Sequence, residues 1–311
     1  MKILVTGGVG YIGSIMVKQL KAFNHEVVVA DIKNQNNPCD LGNKEQLENL
    51  FSENTFEAVL HFAGVISMGE SMENPGKYFN INTFNTLNLL ETMVKHNVKK
   101  IIFSSTAGVY GNPVKLPIPE DHSKNPTNPY GESKLIIEKL LYWYDQIYQI
   151  RSVSLRYFNA AGSSLDGTLG ENHDPETHII PLAIKAITKD VPFKLYGSDY
   201  KTRDGTCVRD YIHVEDLCNA HLLALQALNN GCQTTQYNVG TGIGYSNKEV
   251  LEVVERVTGK KLNIEMVSRR PGDATELVAD PTKIKQELKW EPKYSDLQTI
   301  VETAWKWYSK L

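Results

Sequence analysis

Residues 2–13, KILVTGGVGYIG, decide the fold. An apolar strand pattern runs into Thr6, glycines follow at positions 7, 8, 10 and 13, and the chain continues as the helical pattern IMVKQLKAF. Strand, glycine turn and helix in this order let the chain reverse tightly. They also bring backbone N–H groups and the positive helix end up to a pyrophosphate. The next apolar run, EVVVAD, ends in Asp31, 18 residues past Gly13 (31 − 13). A carboxylate there accepts from a ribose 2′-OH and repels a 2′-phosphate, so the expected cofactor is NAD rather than NADP.

The texture set by that opening repeats. Runs KILVTG, EVVVAD, AVLHFAG, KKIIFSS and SVSLRYF alternate with helical segments EQLENLF, NTLNLLETMVKH and KLIIEKLLYWYDQ. Strands apolar nearly throughout are those of a parallel sheet covered on both faces, so the expected class is α/β: a doubly wound, mostly parallel Rossmann sheet. Past Asn159 the connections become rich in Gly, Pro and Asp, with helical patterns at IIPLAIKAITK, EDLCNAHLLALQAL, KEVLEVVERVTG and IVETAWKWYSKL. The expected division is a dinucleotide-binding domain over 1–159 and a smaller α/β substrate lobe over 160–311. Segments from about 211 to 245 are expected to return to the first sheet.

Composition narrows the partners. In 311 residues the formal net charge is −3, the lysines are scattered and no arginine-rich stretch interleaves with aromatics, so nucleic acid is not expected. No apolar run approaches the roughly 18 residues that span a bilayer. Cys39, Cys207, Cys218 and Cys232 show no metal spacing. With an opening that enters a strand directly, they point to a reducing, cytoplasmic setting and no metal.

A second constellation is Tyr130-Gly131-Glu132-Ser133-Lys134 after NPTNP, where Pro129 suits the first turn of a helix. The spacing of four puts phenol and ammonium on one helical face, where the cation is expected to lower the tyrosine pKa towards neutrality. Tyr and Lys at this spacing also occur by chance; position gives the pair its weight. Strand KKIIFSS ends at Thr106, on the carboxyl edge that the glycine turn shares in a parallel sheet. Thr106 could orient a reacting alcohol, or simply cap a turn.

TGGVGYIGS, HFAG, MGES, FSSTAGVYG, NPYGESK, RYFNAAG, GTCVRDYIHVEDL, YNVGTGIGYS and RRPGD, spread over the whole chain, resemble the extended short-chain dehydrogenases. Within them they are most similar to the UDP-glucose 4-epimerase group. The resemblance implies bound NAD that is reduced and reoxidised in each cycle, and catalysis by Thr106, Tyr130 and Lys134. It also implies cofactor contacts from Gly7, Gly10, Tyr11, Ile12, Gly13, Asp31, Asp40, Leu41, Phe62, Ala63, Gly64, Asn82, Tyr130, Lys134 and Phe158. A UDP-sugar substrate would meet Thr106, Asn159, His178, Leu195, Tyr196, Arg209, Arg270 and Asp273. Arginines suit a diphosphate because a guanidinium binds it bidentately, although Arg209-Asp210 could be a surface pair and Arg269-Arg270 a solvated run. His61 and His213 are read as buried or capping histidines. A homodimer through the helices of TFNTLNLLETMVKH and KLIIEKLLYWYDQIY is implied, though that apolar stripe could instead face the sheet.

Dehydratases and decarboxylases resembling this family place an acid just after the active-site hydroxyl, whereas Ala107-Gly108 follow Thr106 here. That favours epimerisation. Three positions depart from the pattern. Only residues 32–39 separate Asp31 from Asp40, where relatives fit a helix and a strand, so a shorter sheet is expected on that side. Ile66 replaces a lysine. Leu277 replaces a tyrosine or small residue of the sugar pocket, which predicts plain hexoses over N-acetylhexosamines. Two alternatives stay open: a 4-epimerase of another UDP-sugar (N-acetylhexosamine, uronate or pentose), and a non-catalytic NAD-binding sensor or scaffold.

Overall fold

The structure, a computed structural model, describes residues 1–35, 37–270 and 273–310. In chain order the first half holds β1 (Lys2–Thr6), α1 (Tyr11–Ala22), β2 (Glu26–Ala30), α2 (Lys44–Ser52), β3 (Ala58–His61), α3 (Met68–Glu73), α4 (Pro75–Tyr78), a π-helical turn (Phe79–Phe84), α5 (Asn85–Lys95), β4 (Lys100–Thr106), a 3-10 turn (Ala107–Tyr110), α6 (Pro129–Tyr148) and β5 (Arg151–Tyr157). The second half holds β6 (Asn159–Ala161), α7 (Ile179–Lys189), β7 (Phe193–Tyr196), β8 (Val208–His213), α8 (Val214–Asn229), β9 (Thr235–Val239), β10 (Gly244–Ser246), α9 (Asn247–Thr258), β11 (Ile264–Val267), β12 (Glu276–Leu277), α10 (Thr282–Leu288) and α11 (Leu297–Tyr308).

Two compact units result. The first comprises Met1–Gly111, Lys124–Arg156 and Cys218–Tyr237. Its six-stranded sheet has the order β2-β1-β3-β4-β5-β9, the reversal beside β1 being that of a doubly wound fold. β1 pairs in parallel with β2 (Thr6 opposite Ala30) and with β3 (Thr6 opposite His61), and β3 pairs in parallel with β4 (His61 opposite Phe103). These registers bring the ends of β1, β3 and β4 to one edge. Leu4, Val59, Ile101 and Phe103 of the strands pack with Leu47 and Phe51 of α2, Leu89 and Met93 of α5, and Ile137 and Leu141 of α6. Each such burial stabilises by about 1.5–3 kcal/mol, which is why the strand runs are apolar without alternation. β2 forms the sheet edge and the described residues between 31 and 43 add no strand, so the sheet is short on that side as the spacing predicts.

The second unit comprises Asn112–Ser123, Tyr157–Leu217 and Asn238–Leu311. β8 lies between antiparallel β10 and parallel β12 and also pairs with β6, while β7 and β11 form a separate parallel pair. Its core joins Ile180, Ile184 and Ile187 of α7, Val250 and Val254 of α9, and Ile300, Val301 and Ala304 of α11. Helix α9 starts at a capping box, with the Ser246 hydroxyl accepting from Glu249 N–H and the Glu249 carboxylate accepting from Ser246 N–H. Of the 211–245 stretch, β9 joins the six-stranded sheet and β8 the smaller one.

Candidate active site

Thr106 is the last residue of β4, and its hydroxyl accepts from Gly108 N–H at 3.1 Å to start the 3-10 turn. Helix α6 starts two residues before Gly131: Asn128 caps it by accepting Gly131 N–H at 2.9 Å, and Pro129 is the first helical residue. Gly131 has a packing reason to be glycine, since a Cβ there would lie 2.6 Å from Gly108 O. The first turn of α6 is thereby drawn against the turn after Thr106, and the Tyr130 phenol stands close enough to the Thr106 hydroxyl to feel it electrostatically. Ser133 fastens the helix from below, donating to Tyr130 O at 2.7 Å and accepting from Asn82 Nδ2 at 3.0 Å.

Lys134 lies one turn on, buried, with Nζ donating to Ser104 O at 3.1 Å and lying 4.9 Å from the Phe103 ring centroid. Burial pushes its pKa down to about 8. The expected lowering of Tyr130 by this lysine is not what the protein alone shows. Burial raises the phenol, and the opposing contribution comes from the Thr106 hydroxyl. The ammonium is directed at the end of β4 rather than at the phenol, which explains the difference.

Beneath these groups is a buried charge pair that the sequence reading passed over. Arg156 donates to Glu138 through Nε (2.9 Å) and Nη2 (2.6 Å) and to the Tyr110 hydroxyl through Nη1 (2.9 Å), and Ser105 Oγ donates to Glu138 Oε1 at 2.6 Å. Burial works against the guanidinium charge, and Glu138 overcomes it, so the Arg156 pKa is raised. The signal was in the spacing: 130, 134 and 138 follow one another at intervals of four on α6, and a glutamate inside LIIEKLL needs a buried partner.

The glycine turn has the form its sequence predicts. Gly7 has φ +70° and a Cβ there would lie 2.6 Å from Ala63 N; at Gly13 it would lie 2.2 Å from Gly7 O. At Gly10 it would meet only Gly7 O, at 3.2 Å, leaving open space above the turn. Helix α1, whose first residues are Tyr11, Ile12 and Gly13, has no side-chain cap and no acid in its first turn. An open, uncapped helix end of this kind fits a pyrophosphate. Asp31 closes the turn from β2, its Oδ2 accepting from Val9 N–H at 3.0 Å. Leu41 is buried, whereas Asp40 is exposed and its Oδ1 accepts from Gly42 N–H. Phe62, Ala63 and Gly64 follow β3. A Cβ at Gly64 would come within 2.8 Å of Asn82 Oδ1 and 3.6 Å of Lys134 Nζ, so this loop, Asn82 and the lysine converge. Asn82 is buried in the π-helical turn, accepting from Val65 N–H at 2.8 Å and donating to Val65 O at 3.1 Å.

His61 is structural, as expected, and fully satisfied. Thr6 Oγ1 lies 2.6 Å from Nδ1, Thr86 Oγ1 lies 2.8 Å from Nε2, and Thr86 donates onward to Asn82 O at 2.5 Å. Burial, with the Lys134 charge, takes its pKa down to about 3, so it is neutral. His213 is likewise buried, bonded to Thr303 and to Glu215 N–H at the start of α8, with its pKa lowered to about 4 by burial.

In the second unit Arg270 lies over the Tyr196 ring at 4.7 Å, and Asp273 stands 3.9 Å from Arg209 Nη2 and 3.4 Å from Arg270 Nε. Tyr196, Arg209, Arg270 and Asp273 are thus one cluster. Asp210 is no partner of Arg209: it is buried and accepts from Thr241, Gly242 and Ala279 N–H groups. The two adjacent arginines part company, Arg269 pairing with Asp199 and lying over Tyr200. Asn159 donates through Nδ2 to Asp210 O at 3.0 Å, and Phe158 N–H donates to Val239 O. Leu195 packs its side chain in the core, so only its main chain is available to a ligand. His178 is drawn instead to Glu171 and Glu176, at 2.5 and 3.5 Å from Nδ1. Ile66 is exposed, and Leu277 is half-buried opposite Arg209 on the neighbouring strand.

A UDP-glucose 4-epimerase of Halalkalibacterium halodurans is 44% identical over 321 aligned positions, covering 100% of this chain and 96% of that protein. The crystal structure of UDP-glucose 4-epimerase from Brucella ovis in complex with NAD is 41% identical with a TM-score of 0.94, covering 98% of this chain and 97% of that one. The UDP-Glc/GlcNAc 4-epimerase from Campylobacter jejuni is 39% identical with a TM-score of 0.85, covering 100% and 99%. Residues 3–240 match the NAD dependent epimerase/dehydratase family as a whole, and the chain belongs to that family.

Proposed function

We propose that this protein is an NAD-dependent UDP-glucose 4-epimerase, interconverting UDP-galactose and UDP-glucose through a 4-keto sugar. The observation that carries the reading is the meeting of Thr106, Tyr130 and Lys134 at the end of β4, with Ala107 and Gly108 where a carboxylate would drive elimination. Bound NAD supplies acceptance of the C4 hydride and its return to the opposite face. Tyr130 takes the proton of the sugar 4-OH and gives it back, and Thr106 holds that hydroxyl in line. Lys134, a buried cation, favours the phenolate when Tyr130 is ionised.

Gly7, Gly10, Tyr11, Ile12, Gly13 and Asp31 hold the cofactor at its pyrophosphate and ribose, with Asp40 and Leu41 towards adenine. Phe62, Ala63, Gly64, Asn82 and Phe158 complete its site. Arg209 and Arg270 hold the UDP diphosphate, Tyr196 lies against uracil, and Asp273 faces the ribose, with Asn159 and the Leu195 main chain as further contacts, whereas His178 is engaged by Glu171 and Glu176. Nucleotide held firmly and sugar held loosely is what turnover of a keto sugar requires.

A homodimer belongs to the same reading. Helix α6 buries Leu135, Ile137 and Leu141, yet exposes Tyr142, Trp143 and Ile147 by 51, 58 and 65%, and Phe84 before α5 is also exposed. A second copy of the chain is the occupant proposed for that aromatic face; a monomeric sedimentation mass at micromolar concentration would exclude it. No described helix is long and apolar enough to cross a membrane. A cytoplasmic setting accords with four free thiols.

The test is conversion of UDP-galactose to UDP-glucose in a coupled assay without added reductant. Tyr130→Phe is expected to cut turnover by about 10²–10⁴-fold with UDP binding retained. Dinucleotide binding without turnover would instead identify a sensor.

A further inference from the structure

We propose that Glu171, His173 and His178, completed by Glu176, form a divalent-cation site of the zinc type in the second unit. Four donors lie within eight residues of chain, and one ligand atom from each falls within 4.8 Å of all the others. Glu171 Oε1 is 2.9 Å from His173 Nδ1 and 2.5 Å from His178 Nδ1, while Glu176 Oε1 is 3.5 Å from His178 Nδ1. Ligands of a tetrahedral zinc at about 2.1 Å stand about 3.4 Å from one another; the Glu176–His178 separation matches that, and the two Glu171 contacts, now at ion-pair distance, would open by up to about 1 Å to admit the ion. Imidazole nitrogen with carboxylate oxygen is also a donor set zinc prefers over calcium or magnesium.

A second observation is independent of that clustering. His178 Nδ1 is buried and faces two carboxylate oxygens within 3.5 Å, paired with them by charge rather than by an aligned hydrogen bond. Close approach without donor–acceptor alignment is expected where atoms converge on a shared centre rather than on each other. Both glutamate side chains are almost fully buried, at 4 and 3% exposure. Outer contacts hold them in place. Trp307 Nε1 donates to Glu171 O at 3.1 Å, and Thr177 and His178 N–H groups donate to Glu176 Oε1. Tyr308 and Lys185 attend Glu176 Oε2, which leaves Oε1 turned towards the imidazole. His178 is also the residue before α7, so a cation here would tie the loop after β6 to the start of α7 and the end of α11.

Binding requires neutral imidazoles, so zinc would displace ring protons and release them to solvent, and affinity would rise with pH. The experiment uses tag-free, full-length protein, stripped with chelator and titrated with zinc chloride by calorimetry in two buffers of different ionisation enthalpy. The expected result is about one equivalent bound per chain with proton release, a visible d–d band on cobalt substitution, and a rise in Tm on zinc addition. His173→Ala and Glu171→Gln should each lose the equivalent and the Tm response, and His173→Gln serves if the alanine variant does not fold. Absence of stoichiometric zinc would show an ion-paired cluster only. Undiminished binding in both variants would place zinc elsewhere; either result overturns the proposal.

Discussion

Replacing Glu138 by alanine removes the carboxylate that receives two hydrogen bonds from Arg156 and one from Ser105, in a place where the two charged side chains are only 5 and 2% exposed. Water cannot fill in for the lost charge, so Arg156 remains buried without its carboxylate, beside the Tyr110 hydroxyl and ring. Breaking a pair of this kind costs about 3–5 kcal/mol, a large part of the 5–15 kcal/mol that a folded domain typically has. Glu138→Gln keeps the shape and one acceptor oxygen and should cost about 1.5–3 kcal/mol, the worth of a hydrogen bond to a charged group. Glu138→Leu combined with Arg156→Met removes both charges and should recover most of the loss, because the desolvation cost disappears together with the attraction. Urea unfolding followed by tryptophan fluorescence measures all three, and the alanine variant should shift the first transition by at least about 1 M. Since Ser105 adjoins Thr106, the single variants should also lose turnover. Equal midpoints for alanine variant and parent, or a double variant no better than the worse single, would refute the reasoning.

Lys134 has a folded pKa of about 8 against an ordinary 10.5, so between those values the unfolded chain binds more protons than the folded one. Stability of the cofactor-free protein should therefore rise with pH from about 8 to 10.5, and Lys134→Met should flatten that rise in thermal unfolding. Asp31→Ala removes the acceptor for Val9 N–H; NAD released on denaturation should fall below one equivalent per chain, and NADP should bind better relative to NAD, as measured by calorimetry. UDP-N-acetylglucosamine should be turned over at least about tenfold more slowly than UDP-galactose because of Leu277, and comparable rates would sink the assignment of that residue.

Where chemistry depended on one element, the sequence was legible. Apolar runs announced β1 to β5, because strands buried on both faces tolerate little else, and the glycine turn could be read from strand, glycines and helix in succession. Thr106, Tyr130 and Lys134 could be placed because two element ends define them. What escaped were partners far apart in sequence. Glu138 and Arg156 are 18 residues apart, and the polar line Thr6, His61, Thr86, Asn82 joins four elements through single hydrogen bonds. The direction of the Tyr130 pKa shift was also misread, since spacing on a helix does not say which way an ammonium turns. The cluster at 171–178 went unnoticed for another reason: its glutamates and histidines sit in a loop, where no periodicity marks which side chains face one another.

The short connection after Asp31 has a consequence for life in a crowded solution. With no further strand beyond it among the described residues, β2 presents one side of its backbone at the rim of the sheet, and such a rim is a template to which a foreign strand can add. Its middle valines are only half-buried, which would make the template adhesive. The chain blunts it with its own following segment. Asn34 reaches back and donates Nδ2–H to Val29 O at 3.3 Å, and Cys39 N–H closes on Asp31 O at 3.1 Å, folding the connection against the end of the strand. In this light Asn34 is a stopper, and what the shortened segment lost in sheet it partly returns as protection against self-association by strand exchange.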